Sequence, residues 1–456
     1  MNEWDVIVVG AGPAGSVTAR LLAARGHAVL LLDRERFPRA KPCGDCLSAA
    51  VSPLLARLGL LDAVLADRPA RLRGWQVFAP SGVSFFGGFG PDPDDPSRAT
   101  TALAIPREMF DHVLLRGALA SGAEFRTVHV TGLLRDRAGR ITGVTGRVDD
   151  DAPVEFRARL VVGADGLRSV VSRRLGLVRP PGRIRKASLS AHVVGITDVG
   201  DMGEMHLAPG ACAGLAPVSQ PDAGGAVLCN LTLVVDSRVY AREIARGAET
   251  FYWSMLRRFP RLAGRLAGAT IVEPRAAAAA STRAATEDTA EDRTAGGAST
   301  RLAPAPRAPR LLASGPFDRP TRDVVADGAA LVGDAAGYFD PFTGQGIHQA
   351  LAGAEILAEV ADAALRAGDL SAKRLRRYAR RHGALLRAPR ALQRVIESVV
   401  SRPALADRAI RRLGAAPRAA AALVAATADL HPLRDLAAPA ALVALLRAPN
   451  RQELPT

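Results

Sequence analysis

The stretch Asp5-Val6-Ile7-Val8-Val9-Gly10-Ala11-Gly12-Pro13-Ala14-Gly15 constrains the chain more than any other. Asp5 to Val9 is almost wholly apolar, as a central parallel strand buried on both faces must be. Gly10, Gly12 and Gly15 follow in the spacing G-x-G-x-x-G. Ser16 to Arg25 reads as a helix with Val17, Leu21 and Leu22 on one face. A second apolar strand, Ala28 to Leu32, ends at Asp33. Gly10 permits the tight turn, Gly12 leaves room for a pyrophosphate, and Gly15 lets helix and strand pack closely. The helix N-terminus offers unpaired N–H groups to phosphate oxygens. Asp33 stands where a carboxylate accepts hydrogen bonds from ribose hydroxyls. Strand, turn, helix and acid together predict dinucleotide binding.

At 456 residues the chain exceeds one simple core, so two or three domains are expected. Its four cysteines, Cys43, Cys46, Cys212 and Cys229, are too few for a disulfide scaffold, which points to a reducing cytoplasm. Met1 leads directly into the first strand, and no apolar run reaches the ~18 residues of a membrane span. The net charge of +15 is carried by dispersed arginines, with lysine only at 41, 186 and 373. Dispersed arginines read as solvated surface, and no nucleic-acid partner is expected.

Two later segments repeat the pattern of buried strand and glycine–acid end: Leu160-Val161-Val162-Gly163-Ala164-Asp165-Gly166 and Ala329-Ala330-Leu331-Val332-Gly333-Asp334. The strand-like stretch Ala187 to Val235 lies between them, Ala241 to Leu266 is mostly helical, and Ile347 to Arg366 is a long helix. The fold class is therefore α/β: a discontinuous Rossmann-like domain with an inserted, mostly-β substrate domain and a helical C-terminal region. The expected division is 1–75, 100–185 and 310–370 for the dinucleotide domain, 76–99 and 186–275 for the substrate domain, 276–309 for a low-complexity linker, and 371–456 for the helical region.

With its N-terminal G-x-G-x-x-G, middle Asp165-Gly166 and late Gly333-Asp334, the sequence resembles the FAD-dependent oxidoreductases of p-hydroxybenzoate hydroxylase type. The resemblance implies that FAD is the cofactor. Gly10, Gly12 and Gly15 would hold its pyrophosphate, Asp33 its adenosine ribose, and Gly333 and Asp334 its ribityl chain. Arg107, in Ile105-Pro106-Arg107, would lie beside it. Asp165 would serve both FAD and the nicotinamide donor; its other reading is a cap on the turn after its strand. Gly344, Gly346 and Ile347 would bring backbone and a helix N-terminus to the flavin ring, where a helix dipole stabilises negative charge by up to ~2 kcal/mol. No second G-x-G-x-x-G is evident, so NAD(P)H, the expected electron donor, would dock transiently.

Pro42-Cys43-Gly44-Asp45-Cys46-Leu47-Ser48 is similar to the P-C-G-D-G-L-S loop of geranylgeranyl and menaquinone reductases. Pro341-Phe342-Thr343-Gly344-Gln345-Gly346-Ile347 is similar to their P-x-T-G-E-G-I. Cys46 replaces the usual glycine, and Ala213 to Val218 stands in place of their Y-x-W-x-F-P. The resemblance implies double-bond reduction in a hydrophobic substrate, an isoprenoid, quinone or polyketide lipid. Catalytic residues stay unassigned, with Cys43 and Gly44 as the candidate loop. Hydroxylation of an aromatic or polyketide substrate by a monooxygenase is the alternative. A halogenase is disfavoured because W-x-W-x-I-P is missing. His192, His206 and Tyr338 are proton donors by type alone.

Cys43 and Cys46 form a C-x-x-C; a redox dithiol would require it at a helix N-terminus, and zinc would require two further ligands. No metal is expected. The arginine clusters from Arg374 onward suit either peripheral contact with an anionic membrane or a helical cap on the FAD domain. A non-enzymatic FAD-containing membrane- or nucleic-acid-binding protein is the reading from another class.

Overall fold

The computed structural model describes residues 4–91, 99–148, 152–182, 184–221, 225–273 and 310–430. The expected linker, 276–309, lies outside them, as does 431–456 of the C-terminal region.

The first apolar run forms Trp4–Val9, the centre of an eight-stranded sheet. Ala329–Leu331, Ala152–Gly163, Trp4–Val9, Val29–Asp33 and Glu124–Thr127 run parallel in that order. Val6, Ile7 and Val8 are wholly buried. Burying each such side chain contributes about 1.5–3 kcal/mol, so this strand anchors the layer. Helices Pro13–Ala23 and Gly346–Arg366 pack on one another beside it. The carboxyl ends of the parallel strands, where ligands bind in such sheets, carry the G-x-G-x-x-G turn and both glycine–acid turns.

A second sheet, also eight-stranded, is almost entirely antiparallel. It contains Lys186–Val194, Cys229–Asp236, Ala211–Pro217, Gly203–Ala208, Gly74–Phe78 and Ser84–Gly88. Leu312–Ser314, which the expected division places with the first sheet, pairs with Ser188–Ser190 in the second. Gly74 and Trp75 also belong to it.

Two short helices, Val51–Arg57 and Leu61–Ala66, follow one another in the segment after Ser48. Between them Gly59 adopts φ +64°, a left-handed conformation that ends the first helix. The C-terminal helices do not form a cap on the first domain alone. Ala372–Val400 packs on Gly346–Arg366, while Pro403–Gly414 and Pro417–Thr427 pack on Ser84–Gly88 of the second sheet. No described helix is long and apolar enough to cross a membrane.

Candidate functional site

The two sheets enclose a cavity of about 1610 Å³, counting space open to solvent. One wall is backbone. Gly12, Pro13, Ala14, Ala164, Gly166, Gly333, Asp334, Gly344, Gly346 and Ile347 all line it. Gly10 itself is packed beneath: its φ is +102°, and a Cβ there would sit 2.4 Å from the Ala164 carbonyl oxygen. A Cβ on Gly15 would sit 1.8 Å from the Gly10 carbonyl oxygen, so helix and turn touch only because Gly15 has no side chain. Gly12 differs. A Cβ there would meet nothing nearer than Arg39 Nη2 at 3.7 Å and Lys41 Nζ at 3.9 Å.

That geometry is an anion cradle. Helix Pro13–Ala23 starts at Gly12 with no side-chain cap, leaving N–H groups for a ligand. Burial, then the nearby Arg107 and Arg39, hold the Lys41 ammonium below its usual range. A cluster of cations strained in this way favours an anion between them. Asp33 binds the turn itself: Oδ2 accepts from the Ala11 N–H at 2.8 Å and Oδ1 from the Glu35 N–H at 3.0 Å.

Asp165 faces the protein. Its Oδ1 accepts from Ser169 Oγ at 2.5 Å, and its Oδ2 accepts from the Val170 and Val171 N–H groups at 2.6 and 3.3 Å. These contacts make the cap that the sequence left as one of its two readings, while the neighbouring Ala164 and Gly166 line the cavity. Burial raises the Asp165 carboxyl against the lowering effect of those hydrogen bonds. Asp334 lies in the short 3₁₀ turn Gly333–Ala336 and faces the cavity. Gly344, Gly346 and Ile347 lead into helix Gly346–Arg366, whose N-terminus borders the same space.

Arg107 lines the cavity while gripping Asp111 with Nε at 2.7 Å and Nη2 at 2.8 Å. Arg39 Nη1 approaches Asp111 at 3.2 Å. Burial alone would raise the Asp111 carboxyl, but the two guanidinium groups hold it below the usual carboxylate range. The Arg107–Asp111 pair, four apart on one helix, was legible as a spacing; Arg39 and Lys41 were not singled out.

Cys43, Gly44 and Cys46 line the cavity. Burial pushes both thiols up, and the Asp45 carboxylate adds to it. Cys46 sits on strand Cys46–Leu47, not at a helix N-terminus, and both cysteines are free. A low-pKa dithiol therefore lacks its physical basis here. No metal-binding cluster occurs among the described residues.

Asp45 is the residue that sequence reasoning missed in this loop. It is buried at φ +58° and joins three parts of the chain. Its Oδ1 accepts from the Arg107 N–H at 3.2 Å. Its Oδ2 lies 2.7 Å from Asn230 Nδ2 and 2.6 Å from His192 Nε2. Asn230 Nδ2 also donates to the Cys43 carbonyl at 2.8 Å. Burial disfavours the charged imidazole, yet Asp45 holds the His192 pKa above its ordinary value. His206 lies elsewhere, stacked on Phe78 at 4.5 Å and bonded to Glu204, within the second sheet. Tyr338 lines the cavity, and burial keeps its phenol protonated.

The opposite wall comes from the second sheet. Ser188, Ser190, Asn230 and Thr232 present polar groups, while Trp75, Met205, Ala216 and Val234 present apolar ones. Gly214 and Ala216, in place of the aromatic motif, put only small groups on this wall.

Comparison with known proteins agrees with this geometry. Residues 3–228 match the family described as the FAD binding domain. Conditioned medium factor receptor 1 of Dictyostelium discoideum is 26% identical over 82% of this chain and 66% of its own length. The menaquinone reductase of Mycolicibacterium smegmatis is 37% identical over 38% of this chain and 40% of its own length. Digeranylgeranylglycerophospholipid reductase 2 of Methanopyrus kandleri is 28% identical over 82% and 81%. Among solved structures, the myxobacterial chondrochloren halogenase CndH superposes with a TM-score of 0.68 at 26% identity, covering 84% of this chain and 79% of the halogenase. The chain spans about two thirds or less of the length of the first two of these relatives.

Fold, cavity and matches together define a flavoprotein: the chain carries an FAD-binding domain, FAD is its cofactor, and it is similar to the FAD-dependent oxidoreductases of p-hydroxybenzoate hydroxylase type. Within that class it is similar to the geranylgeranyl reductase-like branch.

Proposed function

We propose that the protein reduces a carbon–carbon double bond in a hydrophobic substrate, an isoprenoid, quinone or polyketide lipid. The observation that carries this is the continuous cavity, with a glycine-lined backbone wall on one side and a side-chain wall of mixed apolar and polar groups on the other. The helix start at Gly12, with Arg39 and Lys41 above it, would take the FAD pyrophosphate. Gly10 and Gly15 would shape that turn. Asp33 would reach the adenosine ribose with the lone pairs its backbone contacts leave, and Asp334 the ribityl chain. Gly344, Gly346 and Ile347 would flank the ring, with Arg107 and the Cys43–Gly44 loop at its side. Bound FAD in its reduced form supplies a hydride to carbon. Trp75, Val234 and Met205 would hold the substrate's apolar body and exclude water.

The electron donor we propose is NAD(P)H, docking from solvent. The similarity to reductases acting on lipids supports a membrane-derived substrate. Val395 and Leu405 are 61% and 40% exposed where helices Ala372–Val400 and Pro403–Gly414 meet, amid arginines, which supports peripheral contact with an anionic membrane. Co-sedimentation with vesicles containing anionic lipid tests that contact; equal recovery in the supernatant with and without vesicles contradicts it.

The likeness to a flavin-dependent halogenase at 26% identity favours a second reading, oxygen-dependent chemistry on an aromatic or polyketide substrate. Anaerobic incubation of reduced protein with a polyprenyl lipid separates the two. A product carrying two added hydrogens supports reduction. No product without O₂, and an oxygenated product with it, supports the second reading.

A further inference from the structure

Lys186 has no part in the FAD-binding roles above. It begins strand Lys186–Val194, lines the cavity, and its side chain is 22% exposed. Phe317, Val234 and Phe342 line the same cavity. Two carboxylates hold it. Glu397, from helix Ala372–Val400, forms a close ion pair with Nζ. Asp340 Oδ2 lies 3.6 Å from Nζ, is buried, and makes no hydrogen bond. Lysine occurs only at 41, 186 and 373 in a chain that otherwise uses arginine, and two of those three line the cavity. A lysine supplies a compact point charge where an arginine supplies a broad planar fork.

An ammonium that lines the cavity, paired with Glu397 outside the lining and with Asp340 beside it, is within reach of whatever occupies that cavity. The acids keep it charged: burial opposes the charge, but Asp340 and Glu397 hold the Lys186 pKa above its usual value. An isolated prenyl double bond offers this cation nothing. An oxygen that is anionic, or becomes so during reaction, offers it a charge-assisted hydrogen bond in low dielectric.

We propose that Lys186 is the residue that selects an oxygen-bearing substrate, its ammonium hydrogen-bonding a phenolate oxygen or a quinone- or enone-type carbonyl oxygen. The proposal deepens the oxidoreductase reading and rests on it. In the enone case a hydride from the reduced cofactor adds to the β-carbon. The C=C pair shifts to join the α-carbon to the carbonyl carbon, and the C=O π pair moves onto oxygen. Lys186 stabilises that negative oxygen. The α-carbon then takes a proton from water and the carbonyl re-forms, so the double bond gains one hydride and one proton while the cofactor is oxidised by two electrons. In the phenol case Lys186 pairs with the ionised oxygen of the bound ring.

The test begins with FAD-loaded wild-type protein titrated with 4-nitrophenol and with its methyl ether, which lacks the ionisable oxygen. The expected result is about tenfold or greater preference for the phenol, bound as the coloured phenolate. No preference overturns the proposal without any variant. Lys186→Met paired with Glu397→Gln and Asp340→Asn removes the cation together with both carboxylates that hold it, so neither acid is stranded; this paired variant is expected to retain FAD and lose the preference. Lys186→Arg is expected to keep it. Preference retained by the paired variant overturns the assignment. A turnover arm separates the sources: with a naphthoquinone-type enone the paired variant is expected to lose about 10²-fold in kcat, and with a plain polyprenyl alkene no comparable amount. Equal losses on both overturn a role at oxygen. If wild-type protein reduces neither, the reductase reading fails, while the nitrophenol preference still decides Lys186.

Discussion

The two walls of the cavity are built by different means. The wall proposed to face FAD is backbone: tight turns, helix starts and the ends of parallel strands. The facing wall is side chains alternating along antiparallel strands, with Ser188 and Ser190, or Asn230, Thr232 and Val234, two apart on one face. A backbone wall tolerates almost no substitution at its contact glycines but says little about substrate. A side-chain wall tolerates many substitutions and sets specificity. The lesson is that cofactor and substrate are read from different kinds of evidence, even within one cavity.

The sharpest break of this contrast comes at Gly15. Gly15→Val places atoms inside the Gly10 carbonyl, where neither partner is a flexible side chain. The expected outcome is loss of FAD and destabilisation beyond the ~1–3 kcal/mol of ordinary overpacking, read from bound FAD per chain and the urea midpoint. Gly44→Ala, with nothing within 4 Å of the added atom, is the control and should leave the midpoint unchanged.

Next in size is Asp111→Ala. It strands the buried Arg107 and is expected to cost about 3–5 kcal/mol, again by urea midpoint. A change under ~1 kcal/mol would show that the ion pair is not what holds this part of the wall. Asp334→Ala should instead spare the fold and weaken FAD retention; full FAD occupancy in the purified variant contradicts its assigned place on the backbone wall.

These differences also mark what was legible in the sequence. The parallel sheet was legible because Val6 to Val9, Val161 to Gly163 and Ala329 to Leu331 are uninterrupted apolar runs, the first ending in a G-x-G-x-x-G turn and the other two in glycine–acid turns. The backbone wall follows from such local geometry. Asp45, Asn230 and His192 were not legible as a group, because 147 residues separate Asp45 from His192 and only the packing of the two sheets joins them. Lys186, Asp340 and Glu397 come from three distant segments for the same reason. The break at Gly59 was hidden by helical periodicity on both sides.

A smaller effect probes the junction between the walls. The pKa of His192 is raised in the folded protein, so its contact with Asp45 contributes stability fully below the unfolded histidine value near 6.5 and loses it as pH rises through the folded value. The urea midpoint gap between wild type and His192→Gln should therefore be larger near pH 6 than near pH 9. A gap that widens with rising pH contradicts the charged contact. The smallest effect is expected at Cys46, a free thiol kept protonated by burial. Cys46→Ala should change stability by about 1 kcal/mol or less and leave FAD content intact. A thiol titration of unreduced protein should find all four cysteines free. Two missing thiols, restored by reductant, would revive the dithiol.

The central claim is that this cavity joins FAD to a hydrophobic double bond. It is tested most directly by mixing anaerobically reduced, FAD-loaded protein with a prenylated naphthoquinone in a single turnover, following FAD absorbance and product mass together. The account predicts that the oxidised FAD spectrum returns in step with a product two hydrogens heavier. A spectrum that stays reduced until O₂ is admitted, followed by a product that has gained oxygen, would contradict it.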